Sequence, residues 1–437
     1  MKPFSLLVFK EIKEIFFSKT TMLFLMILSF MTGYSFYSAV ALYSKASMSA
    51  IDNPLYAAGF EPVSGIFVPT WGGVFVLFSL FLPFVIIPVI VLEKERNTLV
   101  MLLQIPFTMN EILLSKIIAS VLLLLFIFLS MTPALFIWWV CGGHIPWGEL
   151  VLLQAGYLLY GLCIIAVSMC SASLFKNTAS ASIFSILLIT LSWIVDFGKD
   201  MNISPLIVHL SHWTTSHTLK FFEQGIFSLS AVLYFLILFV VFMSLSRSFL
   251  DVSVNVKWLF SSLLIILSTG ILIISYFHFN ADMTESHRNS FPTHITAALK
   301  KIPPLEIDVY LERTDSRFKD YEESFLNRLR LIKKDITLHI IQDASLLDQH
   351  YGLFVYTLNG KKATTYSNSE EEIFPLIFRL AGIRNYDPSA HDNFSGYPLV
   401  FTDNQLAVIS YTYYLVIPFI LLSGVITRKI YTKRRFT

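Results

Sequence analysis

Charge is scarce in this chain. Only 14% of its 437 residues are Asp, Glu, Lys or Arg, 55% are hydrophobic, and mean hydropathy is +0.66, which is far too apolar for a soluble chain of this length. Cysteine is scarcer still. Cys141, Cys163 and Cys170 are odd in number and fall in or beside apolar runs, so neither a disulfide framework nor a Cys-rich metal centre follows. No segment reads G-x-x-x-x-G-K-[ST]; Gly198-Lys199 and Gly360-Lys361 lack both the upstream glycine and the following hydroxyl, so no loop is built to cradle nucleotide phosphates. His-Glu-x-x-His and Gly-x-Ser-x-Gly are also absent, which removes support for a zinc protease or a serine hydrolase. The net charge of +2 is spread along the chain rather than gathered on one face, which sets nucleic acid aside as a partner.

What is present is long apolar runs. A spanning helix needs about 20 mostly apolar residues, and hydropathy predicts about eight, near 20–44, 71–92, 112–140, 149–175, 179–197, 226–246, 257–279 and 409–426. The fold expected is an α-helical polytopic membrane protein. Lys2, Lys10, Lys13 and Lys19 precede the first run, and Arg428, Lys429, Lys433, Arg434 and Arg435 follow the last. Basic flanks stay in the cytoplasm, so both termini are expected there, with Lys94, Arg96, Lys176, Arg247 and Lys257 in the remaining inner loops. The run at 21–41 is too long, and its charged leader too extended, for a cleaved signal peptide.

Between the second and third runs lies a charged, helix-forming island, Glu93-Lys94-Glu95-Arg96-Asn97-Thr98-Leu99-Val100-Met101-Leu102-Leu103-Gln104-Ile105-Pro106, followed by Glu111 and Lys116. Thr98 is suited to cap a helix on which Leu99, Leu102 and Leu103 form an apolar stripe, and Pro106 would end it. This pattern resembles the first cytoplasmic loop of the type-2 permease family of ABC transporters. The resemblance implies a six-helix exporter-like core over 20–247, with loop 93–111 as the coupling helix that docks on a separate ATPase subunit. On that reading Glu93, Glu95, Arg96, Thr98, Leu99, Leu102, Leu103, Pro106 and Glu111 carry the ATPase coupling. Asn97 stands where family members often have glycine, and Val100 where they often have an acidic residue. The bland alternative is an ordinary amphipathic juxtamembrane loop without a partner.

Residues 4–18 form a predicted amphipathic helix within a cytoplasmic segment 1–19, with Val8, Phe9, Ile12, Ile15 and Phe16 on one side and Lys10, Glu11, Lys13 and Glu14 on the other. It resembles the family's N-terminal connecting helix. The short turn 171–180 and the segment His217–Ile226 resemble counterparts in the gliding-motility-associated branch of the permeases.

Residues 280–408, between the spans predicted at 257–279 and 409–427, are charged and turn-rich and are expected outside the cytoplasm as an α/β domain. Ile307, Val309 and Leu311 alternate with polar neighbours as a half-buried strand does, and 315–334 carries apolar residues at helical spacing. A strand at 336–342 and a short helix near 344–350 follow, then strands at 353–358 and 361–367 joined by Asn359-Gly360, a strong hairpin signal. Ser369 and Glu372 suggest a capping box for a helix through Leu380, stopped by Gly382. The order β-α-β-α-β-β-α matches a thioredoxin-like layer, which without cysteine is a binding or spacer module. Its opening, Asp282–Arg288 and Leu299–Ile307, resembles a shortened auxiliary subunit of the same transporters. A basic cytoplasmic tail, 428–437, ends the chain.

His209, His212 and His217 fall in one segment and are the candidate metal ligands, though an aromatic-rich interface segment beside Trp213 accounts for them better and no metal is expected. Intramembrane charge looks nearly absent. Glu149 and Asp196 fall at helix ends, and the hydroxyls of Ser168, Ser171, Ser180, Ser182 and Ser185 are what remains to line a path. Pro83, Pro88 and Pro133 allow bent helices.

The function expected is therefore a permease subunit, not itself an enzyme and without a cofactor of its own, in a bacterial-type inner membrane. Its implied partners are a cytoplasmic ATPase that binds ATP and Mg, a second permease copy or homologue, the lipid bilayer and an envelope protein. It would export a bulky or amphipathic substrate or transmit mechanical work. The rival from another class is a non-transporting sensor or scaffold whose outer domain binds an envelope partner or ligand.

Overall fold

The computed structural model describes residues 3–52, 57, 59–98, 101, 107–200, 204–250, 269–270, 279–313, 315–333, 335–341, 350–383 and 394–424. Among them are seven helices long and apolar enough to cross a membrane: Lys19–Ala50, Val63–Glu95, Met109–Val140, Trp147–Leu174, Thr178–Gly198, Leu229–Leu250 and Asp403–Gly424. The chain is thus a multi-pass helical membrane protein. We call these helices spans one to six and the C-terminal span. The span predicted at 257–279 lies outside the described residues except for Thr269, Gly270 and Phe279, as does the whole basic tail.

Proline sets the breaks in these helices. Span two is a π turn at Val63–Phe67, a helix Val68–Ile86, and a second helix Pro88–Glu95 that restarts at the proline because the ring supplies no backbone donor. Span three breaks at a 3₁₀ turn, Leu129–Met131, just before Pro133. Pro83, in contrast, lies within its helix. Span four is the axis of the bundle, with 160–173 buried almost throughout. Small residues let neighbours reach it: a Cβ on Gly156 would stand 2.4 Å from the Phe222 side chain. Trp71 of span two stacks on Tyr157 of span four with ring centroids 4.8 Å apart. Ser168 and Ser171 donate to carbonyls of their own helix, and Ser173 pairs with Ser246 of span six at 2.6 Å, so these hydroxyls are spent in helix packing.

The C-terminal span returns to the bundle along span one. The Ser29 hydroxyl donates to the Tyr413 carbonyl at 2.7 Å, and a Cβ on Gly33 would meet Tyr413 Cβ at 2.4 Å. Just before it, Tyr43 donates to the Tyr397 carbonyl, while Ser47 and Ser44 accept from the backbone N–H of Leu399 and Phe401. A short strand β1 (Ile226–Ser228) pairs antiparallel with β2 (Asn280–Asp282). The excursion 229–279 therefore begins and ends at one place.

The chain divides into two compact units, one holding these elements apart from Phe197 and Gly198 at the end of span five, and the other formed by Phe197–Leu210 and Thr284–Phe394. In the second unit, β3 (Leu305–Val309), β4 (Ile336–Ile340), β5 (Phe354–Leu358) and β6 (Lys361–Thr365) make a four-stranded sheet in the order β4-β3-β5-β6. β3 and β4 are parallel and the other pairs antiparallel. The helical stretch Ser316–Tyr321, Glu322–Leu326 and Asn327–Ile332 links β3 to β4, and Glu370–Leu380 follows β6. Tyr321, Phe325 and Leu329 from the first and Phe374, Ile377 and Phe378 from the second are buried in one core with β3 and β5. Asn359 and Gly360 both adopt positive φ, 49° and 79°, the two-residue turn the hairpin requires. One expectation is corrected and one is left untouched. Ser369 begins its helix without a side-chain cap, because Glu372, the other half of the expected box, accepts from Thr365 instead. The helix placed near 344–350 falls almost wholly outside the described residues.

Candidate functional site

The charged island begins where span two ends, and its first three residues grip separate helices. Glu93 is 7% exposed and faces the N-terminal helix, Pro3–Phe16, and span three. Lys10 Nζ stands 2.9 Å from its Oε1, and Lys116 Nζ 2.8 Å from its Oε2. Lys116 also reaches Glu11 Oε2 at 3.0 Å and donates to the Val89 carbonyl at 3.0 Å. With side-chain exposures of 2% for Lys116, 1% for Glu11 and 10% for Glu93, these three form a buried network that the 40% exposed Lys10 closes on its outer side, with the exposed Glu14 at its edge, 3.6 Å from Lys10. Burial works to lower the Lys10 pKa, but its hydrogen bond to Glu93 and the fields of Glu11, Glu93 and Glu14 outweigh it and hold the ammonium well above the ordinary lysine value.

Lys94 turns the other way. Its ammonium donates to the carbonyls of Ala172 at 2.8 Å and Ser173 at 2.5 Å, the free acceptors at the C-terminal end of span four, where a positive charge also suits the helix dipole. Glu95 accepts from Thr178 at the start of span five at 3.5 Å. Consecutive side chains thus tie the exit of span two to the N-terminal helix and to spans three, four and five.

Arg96 ends the helix and is exposed, and Asn97 takes a φ of 56°. That left-handed position is where glycine is usual after a helix and asparagine is the next best choice, which explains the residue found there. Leu99, Leu102, Leu103 and Pro106 lie outside the described residues, and Met101 beside them is 64% exposed.

The Thr98 hydroxyl donates to the Glu93 carbonyl at 3.3 Å, and the helix it is expected to cap lies almost wholly outside the described residues. A capping box opens span three: the Thr108 hydroxyl accepts from the Glu111 N–H while the Glu111 carboxylate accepts from the Thr108 N–H at 2.8 Å, so Glu111 closes the start of that span. The N-terminal helix is turned from its expected setting. Leu7, Glu11 and Ile15 are buried, whereas Phe9 is 62% exposed, because the buried Lys116 draws Glu11 inward.

Glu11, Glu14 and Glu93 bring carboxylate oxygens within 4.8 Å of one another, the spacing of a metal site. Lys10 and Lys116 already occupy the space between them with positive charge, so the donor set suits ion pairs and not a cation. The ring centroids of His212 and His217 are 5.2 Å apart and set edge to face, with His217 also against Phe221, while His209 falls in the segment assigned to the sheet-bearing unit.

A second charged group occupies the other end of the bundle. Asp196, at the end of span five, is buried and pairs with Lys220 at 3.0 Å. Tyr157 donates to Glu223 at 2.6 Å. Burial raises the Glu223 pKa above the ordinary carboxylate range, against the Tyr157 hydrogen bond and Lys220, which lower it, and with Asp196, which adds to the rise. Glu149 is likewise buried at its helix end.

These features define a multi-pass membrane protein with an ion-paired junction at one end. Comparison with protein-family models, curated proteins and solved structures finds no match to this chain.

Proposed function

We propose that this chain is the membrane subunit of an ATP-binding-cassette transporter of the type-2 permease class, moved by a separate ATPase at the end of the bundle that bears Glu93. The observation that carries the reading is the triple grip of Glu93, Lys94 and Glu95 on the surrounding helices. A docking loop does work only if displacement of the loop is delivered to the spans. A turn attached to one helix alone would flex. Here a pull on residues 96–107 reaches the N-terminal helix and spans two to four through short polar contacts and span five through the longer Glu95–Thr178 contact, and the surrounding ion pairs fix their spacing.

In this mechanism Arg96 and the stripe of Leu99, Leu102 and Leu103 meet the ATPase, while Glu93, buried in the bundle, and Glu95, at its surface against Thr178, pass the motion on. ATP and Mg are held by that partner. The loop end is then cytoplasmic, and Thr284–Phe394 form an extracytoplasmic module whose sheet order is that of a thioredoxin-like layer, serving as a spacer or a docking point for an envelope protein. The cargo is bulky or amphipathic, or the work is mechanical.

The test is purification of the tagged full-length chain from its native membrane. A nucleotide-binding subunit should accompany it, with ATPase activity that falls at least about tenfold relative to its membrane-coupled rate in Leu102→Asp/Leu103→Asp, the loss expected when charge enters an apolar docking surface. Absence of any nucleotide-binding subunit, or full coupling in that variant, overturns the reading in favour of a sensor or scaffold.

A further inference from the structure

Four helices of this bundle are too long for the layer they cross. Spans one, two, three and four contain 32, 33, 32 and 28 residues, about 42 to 50 Å of helix, whereas the hydrocarbon layer is about 30 Å thick. Either the helices lie strongly tilted or their far ends stand clear of the lipid. The side chains on the outer surface distinguish the two.

On span one the exposed large residues up to the middle of the helix are Leu23, Phe30, Tyr34 and Tyr37. Beyond Tyr37 the exposed positions become mixed, with Lys45, Ala46 and Ser49 alongside Leu42 and Met48. On span two the exposed positions from 63 to 75 are only Ser64 and Pro69, and large apolar exposure starts at Val76 and continues through Phe81, Phe84 and Leu92. The C-terminal span shows the same change in the reverse chain direction: Thr402, Asp403 and Asn404 are exposed before it, and Tyr411, Leu415, Val416, Phe419 and Ile420 after it.

The three changes fall at one height. From Lys19 to Tyr37 is about 27 Å of helix, and from Val76 to Glu95 about 28 Å, both counted from the ion-paired end. The C-terminal span is held level with them by the Ser29 to Tyr413 hydrogen bond and by Phe30, which stacks on Tyr414. Phenol rings with an apolar body and a hydroxyl that needs water or a headgroup settle at the lipid–water interface.

We infer that Tyr34, Tyr37, Tyr411 and Tyr414 form a belt that binds the lipid headgroup zone, and that the hydrocarbon layer ends there rather than at the helix ends. The parts of spans one and two beyond it, about 20 Å of helix, form a water-exposed turret. Its wall is sealed by Tyr43, Ser44 and Ser47 against 397–401 and by Trp138 stacked on Phe401 at 5.6 Å. On span three Phe136, Trp139 and Val140, and on span four Trp147 and Val151, stay exposed at this end, so the turret is confined to spans one and two and the segment 397–401 packed on them.

The experiment uses the full chain with Cys141, Cys163 and Cys170 replaced by alanine, in native membranes made leaky by freezing and thawing so that a sulfonated maleimide reaches both faces. Single variants Leu42→Cys and Ser64→Cys should label about tenfold or more faster than Leu23→Cys, Phe84→Cys and Phe419→Cys, because a thiol in hydrocarbon does not ionise. Each is scored against the same variant denatured in sodium dodecyl sulfate, and only variants that remain monodisperse in mild detergent are compared. Equal, slow labelling of Leu42→Cys, Ser64→Cys and Leu23→Cys would place lipid along the whole helix length and overturn the inference. Fast labelling of Phe84→Cys or Phe419→Cys would do the same by removing the hydrocarbon layer from where the belt sets it.

Discussion

Replacing Lys116 by methionine keeps the length and apolar stem of the side chain and removes only the charge. In the native junction its ammonium lies 3.0 Å from Glu11 and 2.8 Å from Glu93, with 2% of the side chain exposed. Deleting one partner of a buried ion pair costs about 3–5 kcal/mol, since the remaining charge stays desolvated. Here Lys10 still touches both carboxylates, at 3.2 and 2.9 Å, but 40% of it is exposed and water screens it. That reduces the expected loss to about 2–4 kcal/mol. Adding Glu11→Gln to Lys116→Met removes one of the stranded charges and should recover at least about 1 kcal/mol of it, a non-additivity that a purely steric effect of methionine would not produce. Reversible unfolding in mixed micelles of mild detergent and dodecyl sulfate, followed by tryptophan emission, measures all three proteins and Glu11→Gln alone. A Lys116→Met protein within about 0.5 kcal/mol of the parent, or a double variant no more stable than the single, would refute the argument that the junction is held by charge.

Glu223 should make stability depend on pH. Its folded pKa is raised, so its stabilising contribution is complete below the ordinary carboxylate range and is lost as pH rises from that range through the raised value. The stability difference between Glu223→Gln and the parent should therefore shift in favour of the variant on going from pH 4 to pH 8, as unfolding in the same micelles would show; a flat difference contradicts it. Gly33→Val should cost about 1–3 kcal/mol and loosen the C-terminal span, because its Cβ alone would stand 2.4 Å from Tyr413 Cβ. Cross-linking yield between cysteines placed at Ser29 and Thr412 reads that loosening directly. Asn97→Gly should leave stability unchanged or raise it slightly, whereas Asn97→Val should lose about 1–2 kcal/mol by forcing a β-branched residue to a φ of 56°. In the sheet-bearing unit Phe374→Ala should cost about 3–5 kcal/mol, read as faster proteolysis within 284–394, since its ring is buried against Phe291 and Phe325.

Hydropathy located the spans well because a run such as Val85–Leu92 has one physical explanation. The Asn359-Gly360 hairpin and the strand alternation through Ile307 and Val309 were equally legible, each being a local pattern whose backbone demand admits few residues. The junction was harder to see. Glu93 read as an exposed contact and Glu11 as part of a solvent face, since nothing local marks a charge whose partner is 105 residues away, as Lys116 is from Glu11. The signal was that Lys116 sits inside an apolar run, the placement that makes an ionisable group worth pairing with another. The capping box of Thr108 and Glu111 is a local Thr-x-x-Glu pattern, legible without any distant partner. Helix continues past the apolar stretch in places, as in Lys45–Ala50 beyond the span expected at 20–44, because hydropathy reports the lipid and not the end of the hydrogen-bond ladder.

Consecutive side chains on a helix leave the axis about 100° apart, and the exit of span two uses that rotation to give Glu93, Lys94 and Glu95 different neighbours. Inserting or deleting one residue anywhere between Pro88 and Leu92 would turn the whole set by that angle and hand every contact to the wrong helix. This stretch should consequently tolerate many replacements of its aliphatic residues yet reject any change in its length.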